Sequence, residues 1–193
     1  MKKNTDPPIT SFPSSKQWRK WLAKNYVLSG NGLWLRIFKK GSGEATITYD
    51  DALDEALCFG WIDGQKKACD EKSWLQKFTP RRSKSIWSKR NKTRVARLIE
   101  ERRMQPSGLK KIEAAKKDGR WDRAYHSPSQ MEVPADFLVL LRKDQQAYDF
   151  FKTLNKANTY AIAWRLETAK KPETREKRMQ IFLNMMKKRH KLH

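Results

Sequence analysis

The densest run of residues able to hold a charged ligand is Phe78-Thr79-Pro80-Arg81-Arg82-Ser83-Lys84-Ser85-Ile86-Trp87-Ser88-Lys89-Arg90-Asn91. It interleaves planar guanidinium groups, hydroxyls and an indole, the groups that hold phosphate oxygens and stack on bases. It also runs into the start of a predicted helix, where free backbone N–H groups favour anions. Arg81, Arg82, Lys84, Lys89, Arg90 and, just beyond the run, Arg94 are the candidate phosphate contacts, with Ser88 and Asn91 adding hydrogen bonds and Trp87 a candidate base platform. Six such contacts imply a slope of about −4 to −5 in log affinity against log salt. The plainer alternative is that Trp87 anchors the core and the cations cover a solvated face.

Other chemistry-bearing residues are sparser. Gly60-Trp61-Ile62-Asp63-Gly64-Gln65-Lys66 sets a carboxylate between two glycines at the start of a predicted strand. Asp63 and Lys66 therefore form an alternative polar pair for a ligand pocket, and a turn in which Asp63 bonds its own backbone explains the same residues without a ligand. Ser107-Gly108-Leu109-Lys110 matches a Ser-x-x-Lys pattern but lacks the Lys-Thr-Gly element that accompanies it in acyl-enzymes. His126 is the one histidine away from the C-terminal end, in a Pro/Ser-rich loop with no nucleophile elbow, so no catalytic residue is assigned. There is no Walker A loop and no Gly-x-Gly-x-x-Gly. Cys58 and Cys69 are the only cysteines and do not form a Cys-x-x-Cys pair, so neither a metal site nor a cofactor is expected.

Charge gives these residues their context. The 193 residues carry 43 Lys+Arg against 21 Asp+Glu, a formal net charge of +22, which favours anionic partners such as nucleic acid or another polyanion. Lys77 to Lys111 holds thirteen of the basic residues against Glu100 and Glu101 alone. The 8 Trp, 8 Phe and 5 Tyr are too many large rings for a chain that never packs them, which excludes global disorder. No apolar run approaches the ~18 residues of a membrane span, and Met1 to Phe12 lacks a secretory apolar segment, so the expectation is a soluble cytoplasmic protein.

The elements that must position these residues follow from pattern and punctuation. Residues 1–13, with Pro7, Pro8 and Pro13, read as a flexible arm. Ser14 or Ser15 caps a helix carrying Trp18, Trp21 and Leu22. Leu33–Phe38 reads as a strand, and Thr48 or Tyr49 begins a helix that Gly60 ends. Trp61–Lys67 and Trp74–Thr79 complete a small antiparallel sheet of three strands. Beyond Pro80 the periodicity is helical: one helix from Ser88, one from Pro106, then helices opening at Pro134, Asp144, Ala157 and Pro172. The fold class is α+β, with a mixed domain over 14–126 containing the basic segment 77–111, an all-helical subdomain over 134–189, and a frayed basic tail at 190–193.

Four stretches, Ala56-Leu57-Cys58-Phe59-Gly60-Trp61-Ile62-Asp63-Gly64-Gln65, Phe78-Thr79-Pro80-Arg81-Arg82, Trp87-Ser88-Lys89-Arg90-Asn91 and Ala169-Lys170-Lys171-Pro172-Glu173-Thr174-Arg175, together resemble the bacterial YdeI/OmpD-associated family, also called bacteriocin-protection proteins. The resemblance runs across nearly the whole chain and makes its helical subdomain OmdA-like. It implies a role in withstanding antimicrobial peptides and an association with an outer-membrane porin, and supplies no reaction, cofactor or catalytic residue. A chain of +22 repels cationic peptides over about 8–10 Å, so an indirect route fits better than direct capture.

These readings converge on a non-catalytic binder of an anionic ligand, nucleic acid first. Two other classes stay open: an enzyme acting on a small phosphorylated or carboxylated metabolite beside Asp63 and Lys66, and an interaction module for an acidic partner. Oligomeric state is not legible.

Overall fold

The computed structural model describes residues 7–27, 30–126 and 131–193. Two compact units divide the chain, Met1–Trp87 with Asn91–Arg123, and Ser88–Arg90 with Ala124–His193.

The first unit is built on a four-stranded sheet of order β1-β2-β4-β3, formed by β1 (Ile9–Ser11), β2 (Leu33–Phe38), β3 (Trp61–Ala68) and β4 (Ser73–Pro80). The count corrects the expectation of three strands. The extra strand lies in the proline-bearing stretch read as an arm, where three residues are too few to show an alternating pattern. It pairs parallel with β2, Ile9 opposite Trp34, so its edge position tolerates the prolines before it. β2 and β3 pair antiparallel with β4, and the β3–β4 register shifts between Asp63 and Lys66.

Two helices bring aromatic and aliphatic faces to this sheet. α1 (Ser15–Asn25) starts at Ser14, whose side chain accepts from the Gln17 N–H. α2 (Tyr49–Cys58) starts at Thr48, with Asp50 and Asp51 in the first turn, where carboxylates complement the helix dipole. Trp18 of α1 lies 5.7 Å from Phe78 and 6.4 Å from Trp61, ring centre to centre, and its Nε1 donates to the Ala52 carbonyl of α2 at 3.0 Å. Leu22, Leu33, Leu35, Leu53 and Leu57 fill the remaining core.

α3 (Lys89–Glu100) and α4 (Pro106–Lys117) follow the sheet. α4 needs glycine twice to reach its place. A Cβ on Gly108 would lie 2.2 Å from the Cys58 carbonyl oxygen, and one on Gly60 would lie 3.0 Å from the Ser107 carbonyl oxygen. Gly60 also ends α2 in the left-handed region at φ +78, as expected of a helix-terminating glycine.

The second unit holds α5 (Ala135–Arg142), α6 (Gln145–Lys152), α7 (Lys156–Glu167) and α8 (Pro172–Lys187). Its core comprises Phe137, Leu141, Ala147, Ile162, Leu166, Met179, Phe182, Leu183 and Met186. Asp144 caps α6 and Asn155 caps α7. The end of the chain is tied down rather than frayed: the backbone N–H groups of Leu192 and His193 donate to Oδ1 of buried Asn158 at 2.9 and 3.1 Å. With eight helices and one four-stranded sheet among the described residues, the architecture is mixed α+β with a helical C-terminal half. Among those residues no helix is long and apolar enough to cross a membrane.

Candidate anion-binding site

The corner where α2 passes into β3 seats a cluster of cations. Gly60 accepts a 2.9 Å hydrogen bond from the Arg81 backbone N–H, just beyond the Trp61–Pro80 pair of the sheet. α4 rests on the same corner through Ser107 and Gly108, and the Gln105 N–H donates to Cys58 at 3.0 Å. Arg81 and α4 are thereby fixed against one another, and between them lies a cavity of about 250 Å³.

Five cationic residues line it, Arg81, Arg82, Lys110, Lys111 and Arg120, together with Trp87, Ser83, Ala114 and Asp118. Arg81 is 3% exposed, with its guanidinium 3.7 Å from the centre of the Trp87 ring and Nη1 donating to the Ile86 carbonyl at 3.1 Å. Arg120 is held by Asp118 at 2.7 Å and donates to the Ser85 carbonyl. That contact holds the Asp118 carboxyl below its ordinary pKa, so the one acid that lines the cavity among the described residues is ionised and engaged. Arg82, Lys110 and Lys111 have no ion-pair partner among the described residues. Trp87, 2% exposed, closes one side of the wall, and its buried Nε1–H has no hydrogen-bond acceptor among those residues. The wall is largely apolar in its accessible surface, and apart from Asp118 the charged groups set in it are donors, which an oxyanion satisfies.

The other residues singled out from the sequence have varied surroundings. Lys84 is exposed on the turn that begins at Arg82, where Ser85 N–H bonds the Arg82 carbonyl, and it does not line the cavity. Trp87 is buried with its ring 4.9 Å from Trp121 in a T-shaped pair, so its face is closed to a stacking base. Asn91 is buried as well, which withdraws its amide from the surface. Ser88, Lys89 and Arg90 group with the second unit. There Ser88 bridges Tyr125, and Lys89 donates from its backbone to Tyr125 and lies 2.6 Å from Nε2 of His126 through its ammonium.

Arg94 departs furthest from the expectation. It belongs to a chain of ion pairs that also explains why the basic excess of the segment overstates what is free to meet a ligand. Arg94 binds Asp50 and, at 2.9 Å, Asp54; Arg97 binds Asp54 and Glu101; Arg103 joins Glu101 at 2.9 Å to Glu55 at 2.8 Å; and Arg19 closes the row on Glu55 at 2.6 Å. Burial works against the Arg94 charge, and the hydrogen bonds to Asp54 and Asp50 outweigh it, holding the guanidinium above its ordinary pKa. Asp54 and Glu55 are buried acids that only such pairing accommodates.

Each member of the alternative pair has a partner of its own. Asp63 lies in β3, not in a turn, and accepts from the Tyr49 hydroxyl at 2.7 Å; Lys66 sits beyond the register shift with its ammonium 4.3 Å from the centre of the Trp74 ring. Ser107 Oγ is buried, and burial, with the Glu55 carboxylate, pushes the Cys58 thiol up to about 11. Among the described residues no group of acids, histidines and cysteines is placed to hold a metal ion.

Lys110, Lys111 and Arg120 are the cavity residues the sequence reading did not assign. Their signal was the pair of glycines, Gly60 and Gly108, which mark a close approach of two backbone segments.

Residues 10–111 match the family described as Domain of unknown function (DUF8412), more than half of the chain, and the chain belongs to that family. Residues 130–189 match OmdA, described as Bacteriocin-protection, YdeI or OmpD-Associated. That second match contains the stretch Ala169–Arg175, whereas the other three stretches carrying the resemblance lie inside residues 10–111. No curated protein and no solved structure matches the chain.

Proposed function

We propose that this member of the DUF8412 family is a binding protein for phosphate-bearing anions, with nucleic acid as its partner and the cavity beside Gly60 as its receptor. The observation that carries the reading is the convergence, among the described residues, of Arg82, Lys110 and Lys111, none of them ion-paired, around a cavity whose lining carboxylate, Asp118, is already engaged. Phosphate contacts of this kind position a nucleic acid without reading its sequence. A formal net charge of +22 adds long-range attraction for the same class of partner. The family description of the C-terminal match suits an indirect part in protection from bacteriocins, exerted through a nucleic acid, because the charge disfavours direct capture of a cationic peptide.

The reading makes no use of catalysis. Asp63 and His126 are engaged by Tyr49 and Lys89, and the Cys58 thiol is buried and protonated. The test is titration of labelled single-stranded RNA, single-stranded DNA and duplex DNA with the whole chain and with a variant carrying Arg82→Glu, Lys110→Glu and Lys111→Glu, its fold checked by circular dichroism. Loss of at least tenfold in affinity by the folded variant supports the reading. Unchanged affinity, or no binding by the parent chain, refutes it.

A further inference from the structure

The cationic cavity shares a wall with a larger groove of different chemistry. The groove measures about 550 Å³ and is bounded by Tyr26, Asn31, Lys77 and Thr79, and Arg81 and Arg82 line both spaces. It lies where the turn before β2 meets β4: a Cβ on Gly32 would fall 2.0 Å from the Phe78 carbonyl oxygen, so the Asn31-Gly32 turn lies directly against that strand. No carboxylate among the described residues lines the groove. Its side chains are mixed donors and acceptors, an amide, a hydroxyl and a phenol, beside the half-buried ring of Tyr26.

We infer that cavity and groove form one site for a nucleoside carrying a phosphate monoester, with the phosphate among the cations and the nucleoside in the groove. The inference rests on the reading that the cavity receives phosphate, and names the form of phosphate it takes. Three features favour a terminal group over the diester of a continuing strand. A monoester carries about −1.5 to −2 charges at neutral pH and three acceptor oxygens. That demand fits Arg82, Lys110 and Lys111 together on the cavity wall. The cavity is also small: at ~30 Å³ for a water, about 250 Å³ holds one phosphoryl group and a few waters, with no room for a second nucleotide. The groove, in contrast, falls within the range of about 300–1,000 Å³ typical of small-molecule sites, and its amide and hydroxyl suit a sugar and a base edge.

The shared chemistry occurs in a free nucleotide and at the end of a nucleic-acid strand, and the experiment separates the two. Calorimetry on the whole chain compares AMP with adenosine, and anisotropy compares a 3′-labelled single-stranded RNA bearing a 5′-phosphate with the same strand bearing a 5′-hydroxyl. AMP binding at least tenfold more tightly than adenosine upholds the inference, and a matching preference for the phosphorylated strand assigns the site to an end rather than to a free nucleotide. In the folded Lys110→Ala/Lys111→Ala variant the preference disappears, and Asn31→Ala weakens AMP while leaving inorganic phosphate unchanged. Equal binding of phosphorylated and hydroxyl forms overturns the inference. If AMP and adenosine bind equally, and strands bind equally whatever their ends while the cavity variant still loses them, the inference falls while the proposed function stands; if no ligand binds, both fall.

Discussion

Salt dependence distinguishes the site in the folded protein from the longer basic run in its sequence. Of the cations between Lys77 and Lys111, Arg94, Arg97 and Arg103 are held by acids of the same chain, whereas Arg82, Lys110 and Lys111 line the cavity with no such partner among the described residues. Three cationic contacts to a single-stranded ligand, each displacing one counterion, give a slope of about −2 in log affinity against log salt, at roughly −0.7 per contact. Raising salt from 50 to 200 mM should then weaken single-stranded RNA binding about 20-fold, against the ~300-fold implied by six contacts. Lys110→Ala should reduce the slope by about 0.7. Arg94→Gln should leave the slope unchanged while costing on the order of 2 kcal/mol of stability, because it withdraws a partner from buried Asp54. The assay is fluorescence anisotropy at four or more salt concentrations, paired with urea unfolding of each variant. A slope steeper than −4, or one that Arg94→Gln flattens and Lys110→Ala does not, would refute the division of cations drawn from the ion pairs.

Three further outcomes follow from the packing and titration of the fold. Gly108→Ala places a Cβ 2.2 Å from the Cys58 carbonyl, and the overpacking cost of about 1–3 kcal/mol exceeds the ~1 kcal/mol of helix propensity gained, so urea unfolding should move to lower concentration; stabilisation would show that α4 does not rest on that corner. Native thiol titration at pH 8 should modify exposed Cys69 alone, since Cys58 is buried with its pKa near 11, and rapid modification of two thiols contradicts that placement. Hydrogen bonds from Arg175 hold Asp136 below its ordinary pKa of 3.8, and the Ala147 N–H together with Lys187 does the same for Asp144. A carboxyl depressed in the folded state contributes stability that is complete above its unfolded pKa and lost as pH falls through the folded one. Thermal melts followed by circular dichroism should therefore hold steady from pH 7 to about 5 and drop below about pH 4; a melting temperature unchanged down to pH 2.5 would contradict these pairings.

Much of the architecture is written in local signals that tertiary packing did not override. Ser14, Thr48, Asp144 and Asn155 cap their helices through short-range hydrogen bonds, β2 follows its apolar and aromatic run, and β3 and β4 end within a residue of the bounds read from the sequence. β1 escaped because three residues carry no periodicity and its order comes from pairing with Trp34, a partner 25 residues away. The site was half legible for a related reason. Composition marks the segment from Lys77 to Lys111 as basic, but which cations meet an acid depends on Asp50, Asp54 and Glu55, all on a helix some 40 residues earlier. Trp87 was named from its neighbours, and only the fold shows its ring covered by Arg81 and Trp121 while its N–H faces no acceptor among the described residues.

That indole offers the most direct test of where the ligand sits. In ¹⁵N-labelled whole chain the Trp87 Nε1–H resonance, identified among the eight indoles by its absence in Trp87→Phe, should shift and saturate as AMP is added, because Trp87 lines the cavity. The same titration of the Arg82→Glu/Lys110→Glu/Lys111→Glu variant should leave it in place. If the resonance stays fixed in the parent chain while single-stranded RNA or AMP binds to saturation, the anion is held elsewhere and the cavity is not its receptor.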